Sequence, residues 1–236
     1  VKDLIDSGDL GEMTRVIWIV TDWYRSQSYY DQGGWRATWD GEGGGVLLNQ
    51  NPHNLDLWQW MCGIPKRVKS QVYYGKHRNI EVEDDLYALV EYENGATGCY
   101  ITTVGDAPGT NRLEIDGTNG KIVVENNELT FYRLRIPEPE FNATYKGGLG
   151  KPEVWECKIP IKGTYTSHPG IINNFCDCIL KGAKPIAPGA EGIRGLQISN
   201  AIHLSSWLNG EWVNIPVDGE LFLEKLQEHC KEPVTK

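Results

Sequence analysis

Residues 82–104, VEDDLYALVEYENGATGCYITTV, carry the pattern that decides the fold. Alternating and β-branched runs lie on both sides of Asn94-Gly95, a dipeptide that is typical of two-residue β-hairpins. The stretch therefore predicts two neighbouring strands that pair antiparallel.

The same pattern extends outward from this hairpin over residues 65–160. Runs of strand character recur in KRVKSQVYYGK, NRLEIDG, KIVVEN, ELTFYRLR and VWECKIPI. Thr118-Asn119-Gly120 and Asn126-Asn127 provide two further hairpin turns. We therefore expect consecutive strands to pair antiparallel, as a meander.

The segments on either side of these strands add one more strand and several helices. Residues 2–13, KDLIDSGDLGEM, are typical of a last helical turn that ends at Gly8 or Gly11, and the strand MTRVIWIVTDWYR follows. After the sheet, Ser167 is expected to cap a helix that ends at Gly182. A second helix should end at Gly210, before the short strand EWVNIPV and a terminal helix.

This order of elements predicts an α+β fold. We expect one large, mostly antiparallel open sheet with helices on one face, forming a single domain over residues 1–236. A sheet of this size with a bare apolar face would be prone to aggregate. The second face should therefore be covered by an oligomer contact or by another domain.

The composition of the chain argues against several kinds of partner and indicates the state of its cysteines. The chain has a formal net charge of -9 and no apolar run long enough to cross a bilayer, which argues against nucleic-acid and membrane partners. Its six cysteines lack C-x-x-C spacing, so we expect reduced thiols in a cytoplasmic protein. For Cys176-Asp177-Cys178, the one close pair, packing within a helix is favoured over metal binding.

The glycine-rich segments do not match a phosphate-binding loop. Neither Gly43-Gly44-Gly45 nor Gly147-Gly148-Leu149-Gly150 fits G-x-G-x-x-G between a strand and a helix, or the G-x-x-x-x-G-K-[ST] pattern. A complete dinucleotide-binding unit is therefore absent from these 236 residues.

The candidate site lies in the helical pattern after residue 45. Asn49, His53, Asp56 and Trp60 are spaced so that they fall on one helical stripe. Pro52 interrupts this pattern, so the helix should kink or begin late, which would move His53 toward its N-terminal end. The alternative is a capped, partly buried histidine with a structural role.

The loop before this helix offers binding groups. Trp35 and Trp39 provide stacking planes and Arg36 provides a forked donor, a combination that suits a polyhydroxylated or carboxylated ligand. Anchoring of the loop by buried tryptophan explains the same residues equally well. We assign no chemistry to the other histidines: His168 and His203 are expected to have cap or core roles, and His77 and His229 to be exposed.

Taken together, these segments resemble the C-terminal domain of the Gfo/Idh/MocA oxidoreductases, named for glucose-fructose oxidoreductase and inositol dehydrogenase. The resemblance rests on GEGGGVLLNQNPHNLDLWQWMCGIPKRVKS, VEDDLYALVEYENGATG, NRLEIDGTNGKIVVE, GIINNFCDCILKGAKPIAPGAEGIRGLQISNAIHLSS and VNIPV, in that order. It covers essentially the whole chain.

The resemblance implies a sheet domain like the C-terminal domain of glyceraldehyde-3-phosphate dehydrogenase, whose open face makes dimer or tetramer contacts. It also implies an N-terminal Rossmann domain that binds NAD or NADP and carries a Glu-Lys-Pro motif, both of them missing here. The family supplies an Asp-x-x-x-His pair to its active site. The matching residues are Asn49 and His53, so an amide stands where the family has a carboxylate.

The implied function is substrate binding and oligomerisation within an NAD(P)-dependent oxidoreductase that acts on a sugar, polyol or related derivative. His53 would exchange the hydroxyl or carbonyl proton and Asn49 would position the substrate, with Trp35, Arg36, Trp39 and Asp56 as binding residues. On this interpretation the isolated chain is inactive. A non-catalytic carbohydrate-binding or assembly module is the alternative.

Overall fold

The computed structural model describes residues 1–161, 163 and 166–231. Nine strands within these residues form one sheet. In chain order they are β1 Met13–Val20, β2 Arg67–Tyr74, β3 Glu83–Glu91, β4 Thr97–Thr103, β5 Asn111–Gly117, β6 Gly120–Glu125, β7 Glu128–Leu134, β8 Val154–Ile159 and β9 Val213–Asn214.

The helices of the described residues lie before, between and after these strands. They are α1 Lys2–Asp6, α2 Gln27–Tyr30, α3 Pro52–Cys62, α4 Glu138–Thr144, α5 Ser167–Lys181, α6 Gly192–Trp207 and α7 Gly219–Lys231. A π-helix at Val46–Gln50 precedes α3, and a short 3₁₀ helix at Gly189–Glu191 precedes α6.

The strand order β8-β7-β6-β5-β1-β4-β3-β2-β9 confirms the predicted fold class, because every pairing except β1 with β4 is antiparallel. The predicted hairpins are also present. Asn126 and Asn127, with φ of 52° and 59°, both adopt the left-handed conformation that a two-residue turn between twisted strands requires.

The expected meander is wrong at one point, because β4 and β5 are not neighbours. β1 lies between them, parallel to β4 and antiparallel to β5. Residues 104–110 have no two-residue turn and instead cross the end of β1, where the Thr110 amide donates to Thr21 Oγ1 at 2.9 Å. The chain passes so close that a Cβ on Gly109 would overlap the Thr21 carbonyl.

One face of the sheet packs against helices α3 and α6 and forms the core. Trp58 of α3 lies 5.0 Å from Tyr100 of β4 and 6.5 Å from Trp18 of β1, measured between ring centroids. The α6 residues Ile198 and Ile202 are buried beside them. Full burial of one large apolar side chain contributes about 1.5–3 kcal/mol, so this cluster fixes both helices on the sheet.

Helices α4 and α5 differ from the sequence-based expectation. Helix α5 begins at Ser167, one residue earlier than predicted, so Ser167 is not its cap. The Ser167 Oγ lies 3.4 Å from His168 Nδ1, and Thr166, which precedes the helix, makes no side-chain capping bond. Gly182 ends α5 in the left-handed conformation, which confirms that prediction. Helix α4 was not expected, because its seven residues lie in a segment rich in proline and glycine.

Candidate functional site

The segment that carries the candidate site is two helices rather than one. The π-helix ends at Gln50, and α3 begins at Pro52, whose missing N–H is tolerated in a first helical turn. His53 therefore lies at the start of α3, as the position of Pro52 predicted. Asn49 lies on the preceding π-helix, and no hydrogen bond within the described residues joins it to His53.

His53 and Asp56 line a cavity of about 400 Å³ between α3 and α6. The other lining residues are largely apolar or small: Leu47, Leu48, Pro52, Leu55, Gly192, Gly195, Leu196 and Ser199. His53 and Asp56 are both exposed, and His53 has no hydrogen-bond partner among the described residues. Its ring nitrogens are therefore available to exchange a proton with a ligand in the cavity.

Asn49 is held by its own surroundings. Its Oδ1 accepts hydrogen bonds from Gln50 Nε2 at 2.8 Å and from the Tyr29 hydroxyl at 3.4 Å, and its Nδ2 donates to Glu42 Oε1. The other Glu42 oxygen accepts from the Ala37 amide at 2.7 Å. An aspartate at position 49 would face the Glu42 carboxylate, so the amide suits this chain.

Glu42 was missed in the sequence because it stands inside the GEGGG run, where the glycines suggested only flexibility. Its contact with Asn49 spans seven residues across a loop, and no periodic pattern marks it. Glu42 gives the Asn49 amide a hydrogen-bond acceptor, so the amide is not left unpaired.

Arg36 lies beside Asn49 in a stack of aromatic rings. Its guanidinium is 4.8 Å from the Tyr29 ring and 4.6 Å from the Trp35 ring, and Nη1 donates to the Tyr29 hydroxyl at 2.9 Å. Arg36 forms no ion pair within the described residues. The guanidinium is thus held by stacking while its charge remains uncompensated, which favours a carboxylated or polyhydroxylated ligand.

The other predicted binding residues are placed elsewhere. Trp39 packs against Tyr74, His203 and Trp207 at centroid distances of 5.8–6.2 Å, in agreement with loop anchoring. Trp60 is exposed on α3 and contacts Lys2, 5.9 Å from its ring, rather than the cavity.

Two of the remaining histidines lie in the aromatic cluster around Tyr74. His203 is buried as expected, and its burial lowers its pKa to about 3. His229 was expected to be exposed, but it is partly buried and stacks on Tyr74 and Trp207 at 5.8 and 4.8 Å. The expectation failed because α7 folds its apolar side back onto α6.

Glu83 is a second residue that the sequence did not reveal. It is fully buried at the start of β3, and its carboxylate accepts the backbone N–H groups of Gly45 at 2.8 Å and Leu47 at 2.9 Å. Burial raises the pKa of Glu83 to about 7. His203 Nε2 lies 3.7 Å from this carboxylate; because burial pushes both groups toward their neutral forms, we treat the contact as a weak polar one rather than an ion pair.

The described residues contain no group of three or more His, Cys, Asp or Glu side chains that could hold a metal ion. All six cysteines are free thiols. No helix in the described part of the chain is long and apolar enough to span a bilayer.

The fold that holds this site, a nine-stranded and mostly antiparallel open sheet, is the feature to compare with known proteins. The family model described as the GFO/IDH/MocA C-terminal domain matches residues 1–123, which is just over half of the chain. The chain therefore belongs to the Gfo/Idh/MocA family. A search of the curated proteins finds no match.

Solved structures of this family cover nearly all of the chain. The WlbA dehydrogenase from Bordetella pertussis, in complex with NADH and UDP-GlcNAcA, is 26% identical with a TM-score of 0.72. The WlbA dehydrogenase from Chromobacterium violaceum is 29% identical with the same TM-score. Levoglucosan dehydrogenase, in complex with NADH, is 21% identical with a TM-score of 0.67 and shows the fold alone.

These alignments cover 92% of this chain but only 59% of each WlbA chain and 62% of levoglucosan dehydrogenase. The chain thus spans less than two thirds of the length of the proteins that it resembles.

Proposed function

We propose that the chain is the substrate-binding and oligomerisation half of an NAD(P)-dependent oxidoreductase that acts on a sugar, polyol or related derivative. NAD or NADP would bind mainly to a dinucleotide-binding domain outside residues 1–236. The WlbA structures, which hold NADH and UDP-GlcNAcA, support both the cofactor and the sugar-like substrate. The free thiols fit a cytoplasmic protein.

Exposed apolar residues on α5, and on the segment that leads from it to the cavity, carry this proposal. Helix α5 is amphipathic, yet none of its residues is buried. Phe175 is 63% exposed and Leu180 is 79% exposed, and the apolar residues continue through Ile186 and Ile193 to Leu196, which lines the cavity. Apolar surface of this extent marks an interface, and a second domain docked here would bring a cofactor to His53.

The residues at the cavity fit the acid–base half of such a reaction. The nicotinamide cofactor supplies the chemistry of hydride transfer when it is bound. His53, at the exposed edge of the cavity, would accept the substrate hydroxyl proton during oxidation or donate a proton to the carbonyl oxygen during reduction. Asn49, on the π-helix, and Arg36, in the loop before it, would orient the substrate.

The open face of the sheet fits the proposed oligomer, with a second copy of this chain as the partner. Its centre is apolar, and a charged border follows in which Lys121 and Arg112 both pair with Glu114. The central residues are Ile17, Ile19, Tyr87, Leu89, Cys99 and Ile101. An apolar centre with a polar rim is typical of protein interfaces, and a dimer with twofold symmetry would cover both copies at once.

Cofactor binding tests the proposed division of the enzyme. We expect calorimetry to detect no micromolar binding of NAD or NADP by residues 1–236, because the helix start that binds pyrophosphate is absent. The protein made from the complete gene should bind one of the two cofactors. Micromolar binding by residues 1–236 alone would overturn the proposal.

A further inference from the structure

We propose that Glu83 is a positioning residue for the candidate active site: its buried carboxylate fixes the π-helix at Val46–Gln50 and, through it, Asn49 and His53. The inference rests on the proposed function for its catalytic consequence. The geometric part depends only on residues of this chain.

The contact is made at the point where the π-helix begins. The first N–H groups of a helix have no partners within the helix, and here Glu83 Oε2 and Oε1 accept those of Gly45 and Leu47 at 2.8 and 2.9 Å. Both bonds strengthen when the carboxyl group is ionised, because hydrogen bonds to a charged acceptor are roughly twice as strong as neutral ones. Because Glu83 lies on β3, an interior strand that pairs with both β2 and β4, it ties the π-helix to the sheet.

The backbone of Gly45 lies in direct contact with the backbone of Glu83. A Cβ on Gly45 would overlap the Glu83 carbonyl oxygen and would lie 2.9 Å from Val82 Cγ2. Glycine at position 45 is therefore what allows the loop to lie directly on β3. With the backbones in contact, the two hydrogen bonds set where the π-helix starts.

The position of the π-helix in turn determines the positions of Asn49 and His53. The backbone N–H of Asn49 donates to the Gly45 carbonyl at 2.9 Å, so a shift of Gly45 moves Asn49. After Gln50, the Asn51 side chain donates to Thr102 Oγ1 on β4, and His53 follows two residues later. Glu83 and Thr102 thus hold the two ends of the segment that presents Asn49 and His53.

Stability alone does not account for a carboxylate at this position. Glu83 has no Lys or Arg partner within the described residues, and its titratable neighbours are His203, Tyr74 and Asp84. An unpaired buried carboxylate is expensive, and an apolar residue of similar volume would usually be at least as stable. A buried group that lowers stability in this way is expected where function requires an exact position of the backbone.

Glu83→Gln tests the inference, because the amide keeps the shape but offers a donor to one of the two N–H groups. In the 236-residue chain we expect faster hydrogen exchange at Leu47 and altered ring resonances of His53 by NMR. In the complete enzyme we expect kcat to fall about 10- to 100-fold, as small misplacements of catalytic groups do, with little change in the KM for the cofactor.

Asp84→Asn is the matched control. Asp84 is the next residue on β3, is also buried, and accepts the backbone N–H groups of Lys76, His77 and Arg78 at 2.7–3.0 Å. Within the described residues, none of these three residues hydrogen-bonds to the π-helix or to His53. This variant should lose stability yet leave the His53 resonances and kcat unchanged.

Glu83→Asp decides the matter if Glu83→Gln does not fold, since the shorter carboxylate can reach only one of the two N–H groups and should give the same changes to a smaller degree. Wild-type exchange at Leu47 and wild-type His53 resonances in the folded variants would overturn the inference. If these signals change while the complete enzyme shows no dehydrogenase activity, Glu83 keeps its positioning role and the proposed function fails.

Discussion

The two faces of strand β3 both carry leucine, but one face is covered by helices and the other is exposed. Leu86 is fully buried and Leu89, three residues later, is 46% exposed. The face of Leu86 packs on α3 and α6 and, through Glu83, holds the candidate site. The face of Leu89 is apolar at its centre and uncovered. A strand that is apolar on both faces is expected to be covered on both faces in the working protein, once by its own helices and once by a partner.

Substitutions of one leucine on each face should differ most in their effect on the free energy of unfolding. Leu86→Ala should lower the free energy of unfolding by about 2–5 kcal/mol, since it leaves a cavity in a packed core. Leu89→Glu should change the stability of the monomer by less than about 1 kcal/mol, because surface substitutions rarely do more. Urea unfolding at low protein concentration measures both.

The same Leu89→Glu variant should weaken the proposed oligomer, because it places a charge at the centre of the apolar patch. We expect sedimentation to show dimers or tetramers for the unsubstituted chain and monomers for the variant, with Leu86→Ala keeping the larger species while it stays folded. A wild-type monomer at high concentration, or an unchanged mass for Leu89→Glu, would show that the open face is not the interface.

The buried pair on the covered face should give a smaller, pH-dependent effect. Glu83 has a pKa of about 7 in the folded chain against an ordinary value of 4.5, so its favourable contribution is present below pH 4.5 and is lost as the pH rises through 7. His203 has a pKa of about 3 against 6.5, so its contribution is present above pH 6.5 and is lost as the pH falls toward 3.

Between pH 4.5 and 6.5 the two groups therefore oppose one another. Glu83→Gln removes one of them, so the free energy of unfolding of this variant should rise more steeply with pH in that range than that of the wild type. Urea unfolding at a series of pH values measures the slopes. Parallel profiles for the two proteins would mean that the Glu83 carboxyl is not titrating in this window.

The contrast between local and distant contacts also explains what the sequence could predict. The hairpins at Asn94-Gly95 and Asn126-Asn127 and the end of α5 at Gly182 depend on the conformations of adjacent residues, and all were found where expected. The position of β1 between β4 and β5 depends on packing across the whole sheet. Turn residues contain no information about it.

The same limit applied to the site. The position of Pro52 correctly placed His53 at the start of a helix, because proline acts locally. The Glu83 contact with Gly45 joins residues 38 positions apart, and in the sequence Glu83 is one of three consecutive acidic residues with nothing to distinguish it. Buried carboxylates that bind distant backbone can be identified only once the fold is known.

The most direct test of the account is the turnover of His53→Ala in the complete enzyme with its cofactor and best sugar-type substrate. Asp56→Ala is the control, because Asp56 lines the same cavity but hydrogen-bonds to Gln59 within α3 at 3.0 Å. We predict that His53→Ala lowers kcat by about 10²-fold or more with the fold intact, as the loss of a general acid or base does, and that Asp56→Ala has a smaller effect on kcat. A kcat near that of the wild type for His53→Ala at all pH values would contradict the assignment and return His53 to a structural role.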